Sequence, residues 1–157
     1  MKNNKGYRPN VAAIVLSSDY PEKCEFLLFR RRGQKRSWQF PQGGIDEGET
    51  KVEALLRELD EEIGTNDVEI LGEYPDWISY DFPPTTGKKR YPFRGQKQKY
   101  FLVRLKDNSK VDIDAFEEPE FDDYQCVTAD VLFKKAAFLK RRAYKRVIDY
   151  FTKKGLL

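Results

Sequence analysis

GGIDEGETKVEALLRELDEEIGT, residues 43–65, decides how the rest of the chain is read. Thr50-Lys51-Val52-Glu53 has the T-x-x-E form of a capping box, so a helix is expected to begin just after Thr50. Gly64 suits the position just past a helix end, which places that end near Ile63. Between them Val52, Leu55, Leu56, Leu59 and Ile63 recur at helical spacing and form one apolar stripe. On the opposite side Glu58, Glu61 and Glu62 stand at i, i+3 and i+4. Like charges at that spacing cost a helix roughly 0.2–0.5 kcal/mol per pair. A hard divalent cation, which takes carboxylate oxygens, would relieve the repulsion. A solvated acidic face is the plainer alternative.

The remaining composition narrows the chemistry. With 157 residues, 39% of them hydrophobic and 14% aromatic, the chain is expected to be one globular domain over 1–157. No apolar run approaches the roughly 18 residues of a membrane span, and MKNNKGYRPN lacks the apolar segment of a signal peptide. A cytoplasmic protein without membrane association is expected. There is no histidine, so serine or cysteine triads that rely on one are excluded. Cys24 and Cys126 form no C-x-x-C pair, and a zinc site from two cysteines alone is not expected. Hydrolysis by carboxylates with an oxygen-preferring metal is the route left open.

Charge is unevenly spread around a net +3. Residues 46–62 are strongly acidic, with only Lys51 and Arg57 as bases, whereas 134–154 holds a single acid, Asp149. The stretch 88–99 is basic throughout. An acidic centre in a basic surround suits a polyanionic substrate, although surface lysines are common in any case.

Around the central helix the pattern is strand-rich. VAAIVL (11–16), EFLLFR (25–30), WQF (38–40), two pieces within 68–80 flanking Pro75, YFLVRL (100–105) and YQCV (124–127) read as strands. PQGG (41–44) reads as a turn, 81–95 and 107–123 as loops. A short helix is expected from Thr128, and a final one over 140–153, where Tyr144, Val147, Ile148 and Phe151 share a face. A mixed sheet packed between helices follows.

Gly43, Glu49, Arg57, Glu58, Leu59, Glu61, Glu62 and Gly64 fit G-x5-E-x7-R-E-U-x-E-E-x-G-U, where U is apolar; only Thr65 departs from it. This resembles the signature of Nudix hydrolases. The resemblance implies an α/β fold, the Nudix-type α/β/α sandwich with a mixed sheet, and hydrolysis of a nucleoside diphosphate linked to another group with Mg²⁺ or Mn²⁺. Four further pieces, GYRPNV (6–11), SWQFPQGG (37–44), GQKQKYFL (95–102) and PEF (119–121), with a weaker KRxxY (140–144), resemble one branch of that family. That branch comprises the bacterial RNA 5′ pyrophosphohydrolases and the similar dinucleoside polyphosphate hydrolases. Hydrolysis of 5′-triphosphorylated RNA is therefore expected. Free dinucleoside polyphosphates, or a binding module without turnover, are the alternatives.

The resemblance assigns roles. Glu58, Glu61, Glu62, Glu120 and the Gly43 carbonyl would hold the metal, and Glu61 or Glu120 would be the general base, with Glu62 also catalytic. On chemistry alone Glu120 is a solvated carboxylate in an acidic loop. Arg8, Gln42, Gln96, Lys97, Lys140 and Arg141 would contact substrate, along with Arg31 or Arg32. Gly44, Glu49, Arg57 and Gly64 are structural, Arg57 pairing with Glu49, Glu53 or Glu61. The family's base-stacking aromatic has Leu139 in its place here, preceded by Phe138. Lys140, Arg141, Arg142, Lys145 and Arg146, with Lys97 and Lys99, would form a basic track for RNA. A monomer is expected.

Overall fold

The computed structural model describes residues 6–82 and 92–157. Most of the loop expected over 81–95 lies outside the described residues.

The chain order is β1 (Tyr7–Leu16), β2 (Phe26–Arg31), β3 (Trp38–Gln39), β4 (Gln42–Gly44), α1 (Lys51–Ile63), β5 (Val68–Glu73), β6 (Ile78–Asp81), β7 (Gly95–Leu105), β8 (Phe121–Val127), α2 (Ala129–Lys135) and α3 (Arg141–Lys153). A 3-10 turn, Phe138–Lys140, leads into α3. The strands among the described residues form one sheet in the order β3-β2-β1-β7-β5, with β4 on β1, β6 on β7 and β8 on β2. β1 and β7 run parallel and the other pairs antiparallel, so the sheet is mixed.

The centre is the β1–β7 pair, in register from Tyr7↔Gly95 to Leu16↔Arg104. Val11 to Leu16 and Tyr100 to Val103 are all buried, the continuous apolar run that a strand covered on both faces requires. Alternate side chains of β7 meet different helices. The Tyr100 ring packs edge-on against Tyr144 of α3, whereas Lys99 reaches Glu73, which also binds Lys51 at the start of α1. Helices thus cover both faces, as an α/β/α sandwich requires.

Several elements outgrow their apolar cores. β1 starts at Tyr7 and β7 at Gly95, because each polar start supplies the other's backbone hydrogen bonds. Residues 42–44, expected as a turn, pair instead with β1 through Asn10↔Gly44, Val11↔Gly43 and Ala12↔Gln42. The acidic loop ends early, at Phe121, whose buried ring packs on Phe29.

α1 has the expected ends. Thr50 accepts from the Glu53 amide and Glu53 from the Thr50 amide, and Gly64 closes the helix at φ +76°. Its stripe is narrower than expected: Leu55, Leu59 and Ile63 are buried, but Val52 is exposed because Ala54 takes the inner position. Thr65, the one departure from the box, is buried and hydrogen-bonded to Ser109 Oγ at 2.7 Å.

Candidate active site

Two adjacent glycines of β4 organise the site, because each is pressed by a charged side chain from a different side. A Cβ on Gly43 would lie 1.9 Å from Glu58 Cδ, and one on Gly44 would lie 2.2 Å from Arg8 Nη2. Consecutive residues of a strand point to opposite faces, so the carboxylate of α1 and the arginine of β1 grip one strand from its two sides.

On the α1 side the carboxylates gather. Glu58, Glu61, Glu62 and Glu120 line one cleft of about 390 Å³, joined by Phe116, Glu117 and Glu118. Burial pushes the Glu58 carboxyl above its usual range, against the pull of Arg57. Burial also raises Glu62 well above that range, and the neighbouring charges of Glu58 and Glu120 raise it further. Glu62 accepts the Gln42 amide at 3.1 Å. Glu120, brought from the start of β8, is half-exposed and pairs with Arg31 at 3.8 Å.

Arg57 underpins this side. It donates to Glu49 at 2.6 and 2.9 Å, to Glu58 at 2.8 Å, to the Gly44 carbonyl at 2.9 Å and more weakly to Glu61 at 3.4 Å. The guanidinium holds the Glu49 carboxyl down at about 2. Glu53, one of the expected partners, closes the capping box instead.

The donor set suits a hard cation: four carboxylates share one cleft, and two of them, Glu58 and Glu62, are pushed toward protonation by burial and by neighbouring carboxylates. Among the described residues, however, no three such side chains are drawn together at metal-binding distance. Arg57 takes one oxygen each of Glu58 and Glu61, which leaves the second oxygen of each carboxylate free of it.

The other side of the strand is amide-rich and basic. Gln98 donates to Asn10 at 2.9 Å and to Gln42 at 3.0 Å, and accepts from Tyr100 at 3.0 Å. Lys140, just before α3, donates to the same Gln42 oxygen. Burial, with Arg31 nearby, lowers this lysine to about 8, while Glu62 pulls the other way. Tyr80 donates to Gln96 at 2.7 Å, and its ring lies 5.5 Å from Lys140 Nζ. Gln42 therefore joins the two sides, its amide on Glu62 and its side chain on Lys140.

The structure brings together Arg8, Arg31, Gln42, Gln96 and Lys140, but separates three other expected contacts. Lys97 faces the α1 side, its ammonium 4.8 Å from the Trp77 ring, because it alternates with Gln96 and Gln98. Lys99 is buried on that same side and donates to the Pro75 carbonyl at 2.5 Å. The basic track expected to link these lysines with α3 is therefore divided by the sheet. The Arg141 guanidinium is committed to the carbonyls of Ala136 and Lys134 at 2.8 and 3.0 Å. Of the two basic-loop candidates, Arg31 meets Glu120; the Arg32 side chain is exposed, without an ion pair among the described residues. Phe138 and Leu139 stand out from the 3-10 turn, 78% and 86% exposed, with Arg141 over the Phe138 ring at 5.8 Å.

Sequence reasoning missed Asn10, Tyr80 and Phe116. Asn10 lies within GYRPNV (6–11) but is given no role there, and only strand register and loop course bring Tyr80 and Phe116 to the site.

Comparison with known proteins bears on the family and the fold. The NUDIX domain model matches residues 6–149. The chain is 61% identical over 157 residues to an RNA pyrophosphohydrolase of Sulfurovum sp., covering 100% of both chains. It is 55% identical to an RNA pyrophosphohydrolase of Campylobacter jejuni, again over 100% of both. Among solved structures, a C. elegans Ap4A hydrolase complex superposes with a TM-score of 0.68 at 20% identity, over 93% of this chain and 98% of that one.

Proposed function

The chain belongs to the NUDIX domain family, and on that premise we propose that it removes pyrophosphate from the 5′ end of triphosphorylated RNA, leaving a 5′-monophosphate. Full-length likeness to RNA pyrophosphohydrolases supports the reaction. The observation that carries the reading is the pairing across β4 of a carboxylate cleft with a basic, amide-lined pocket. One domain spanning 1–157 would do this work, in the cytoplasm where transcripts are found.

Glu58, Glu61, Glu62 and Glu120, with the Gly43 carbonyl, would hold Mg²⁺ or Mn²⁺. A divalent ion held there would lower the pKa of a bound water and offset charge on the phosphates. Glu61 or Glu120, both half-exposed to the cleft, accepts the proton of the attacking water. Water adds at the α-phosphorus as its bond to the bridging oxygen breaks, and pyrophosphate leaves. Arg8, Arg31 and Lys140 hold phosphate oxygens, the arginines by their forked donors. Gln42 and Gln96 offer amide contacts, Tyr80 and Phe138 aromatic ones. Arg57 keeps Glu58 and the Gly44 carbonyl fixed while substrate turns over.

The test compares 5′-triphosphorylated RNA with diadenosine tetraphosphate in Mg²⁺, reading kcat/KM over a salt series. RNA is expected to be preferred, to yield pyrophosphate and 5′-monophosphorylated RNA, and to show the steeper salt dependence, by roughly 0.7 in log–log slope per additional phosphate contacted. Preference for the dinucleotide, with equal salt slopes, would contradict the reading.

A further inference from the structure

Three strand ends lie side by side where β1 begins. In register, Tyr7 stands opposite Gly95, and Gly95 opposite Asp81. One step along, Arg8 stands opposite Gln96, and Gln96 opposite Tyr80. Successive side chains of a strand point to opposite faces, so these two rows look in opposite directions. The second row belongs to the pocket described above. The first looks away from it, toward the face that Lys97 and Lys99 share.

That first row is nevertheless tied together. The Tyr7 hydroxyl donates to Asp81 Oδ1 at 2.6 Å, reaching across β7 where Gly95 contributes no side chain. Arg94 donates to the other Asp81 oxygen at 3.3 Å, with its guanidinium 5.3 Å from the centre of the Tyr7 ring. The backbone repeats the connection: the Gly6 carbonyl accepts from the amides of Arg94 at 2.8 Å and Gly95 at 3.2 Å, and the Phe82 amide donates to the Arg94 carbonyl at 2.8 Å. A Cβ on Gly95 would lie 2.0 Å from the Tyr80 carbonyl oxygen, so only glycine lets β6 close onto β7 here.

We propose that Tyr7, Asp81 and Arg94 form a clamp that positions Arg8, Gln96 and Tyr80 for substrate, acting from the far face of the sheet. This rests on the function proposed above. An ion pair this exposed adds little to global stability. Its effect is local. Strand ends open more readily than cores, and Tyr7 is the first residue of β1, immediately before Arg8. Losing the Tyr7–Asp81 bond lets the end of β1 part from β7, and the row that grips the substrate loses its alignment while the carboxylate cleft stays as it is.

Tyr7→Phe deletes one hydroxyl and keeps the ring. It is expected to raise KM for 5′-triphosphorylated RNA by about threefold to tenfold, with kcat within about twofold of wild type. In an Arg8→Ala background the same change is expected to raise KM by less than it does alone, because part of the clamp's effect passes through Arg8. Independently of any substrate, the amides of Arg94 and Gly95 should exchange with solvent about tenfold faster in Tyr7→Phe. An unchanged KM, a full additional rise on top of Arg8→Ala, or wild-type protection of those amides would each overturn the clamp. If the wild type leaves triphosphorylated RNA intact, the functional reading fails instead, and amide exchange still decides the clamp.

Discussion

On the α1 side of β4, Glu58, Glu61, Glu62 and Glu120 crowd into one cleft, and burial with mutual repulsion drives two of them toward protonation. On the other side, Arg8 rests on Gly44, while Lys140, Gln42, Gln98 and Tyr80 make a network of donors. The first region is held under strain that a cation would relieve. The second is mostly satisfied by its own hydrogen bonds and waits for phosphate. Three of the four carboxylates stand on one helix, whereas the second region draws on β1, β2, β4, β6, β7 and the turn before α3. The difference teaches how the proposed function would divide the labour: the acidic side would govern turnover and the basic side grip, with Gly43 and Gly44 between them.

The largest effect should come from emptying the acidic side. Exhaustive EDTA treatment is expected to abolish hydrolysis, and Glu61→Gln to lower kcat by about a hundredfold to ten-thousandfold with an unchanged fold by circular dichroism. Activity that survives EDTA would end the metal account. Glu61→Gln should also unfold at a slightly higher temperature than wild type when no metal is present, since one repulsive partner is gone.

The glycines sharpen the comparison. Gly43→Ala drives a methyl into Glu58 and should lower kcat by about a hundredfold. Gly44→Ala drives one into Arg8 and should chiefly raise KM, by about tenfold. Kinetics in which both variants fail alike would show that the two sides are not separable.

The smallest effect is one of pH. Lys140 titrates at about 8, below its usual 10.5, because it is buried and near Arg31. It is charged below that value and neutral above it, so KM for RNA should climb by a few-fold, roughly threefold, as pH rises through 8. Lys140→Arg, charged throughout, should flatten the climb. The sign for stability is opposite. A depressed folded pKa favours the folded state fully above pH 10.5, and that contribution is lost as pH falls through 8.

The two regions also differed in what the sequence reveals. α1 was legible to the residue because its signals are local: Thr50 and Glu53 cap each other three residues apart, and Glu58, Glu61 and Glu62 share one face. β4 was not legible. Gln42-Gly43-Gly44 has the composition of a turn, and only pairing with Asn10 to Ala12, some thirty residues earlier by rough count of the chain, makes it a strand. Lys97 shows the same limit. Its alternation with Gln96 could be read from the strand period, but which face met the pocket depended on where α3 packed against Tyr100. Arg31 and Arg32 were indistinguishable until β8 carried Glu120 beside the first of them.

The division of labour is tested most directly by measuring kcat and KM for 5′-triphosphorylated RNA, in saturating Mg²⁺, for Glu62→Gln and Arg8→Ala side by side. The account expects Glu62→Gln to lose about a thousandfold or more in kcat with KM within about threefold of wild type, and Arg8→Ala to raise KM by about tenfold or more with a much smaller loss in kcat. A Glu62→Gln enzyme that turns over at the wild-type rate, or an Arg8→Ala enzyme with wild-type KM, would contradict it.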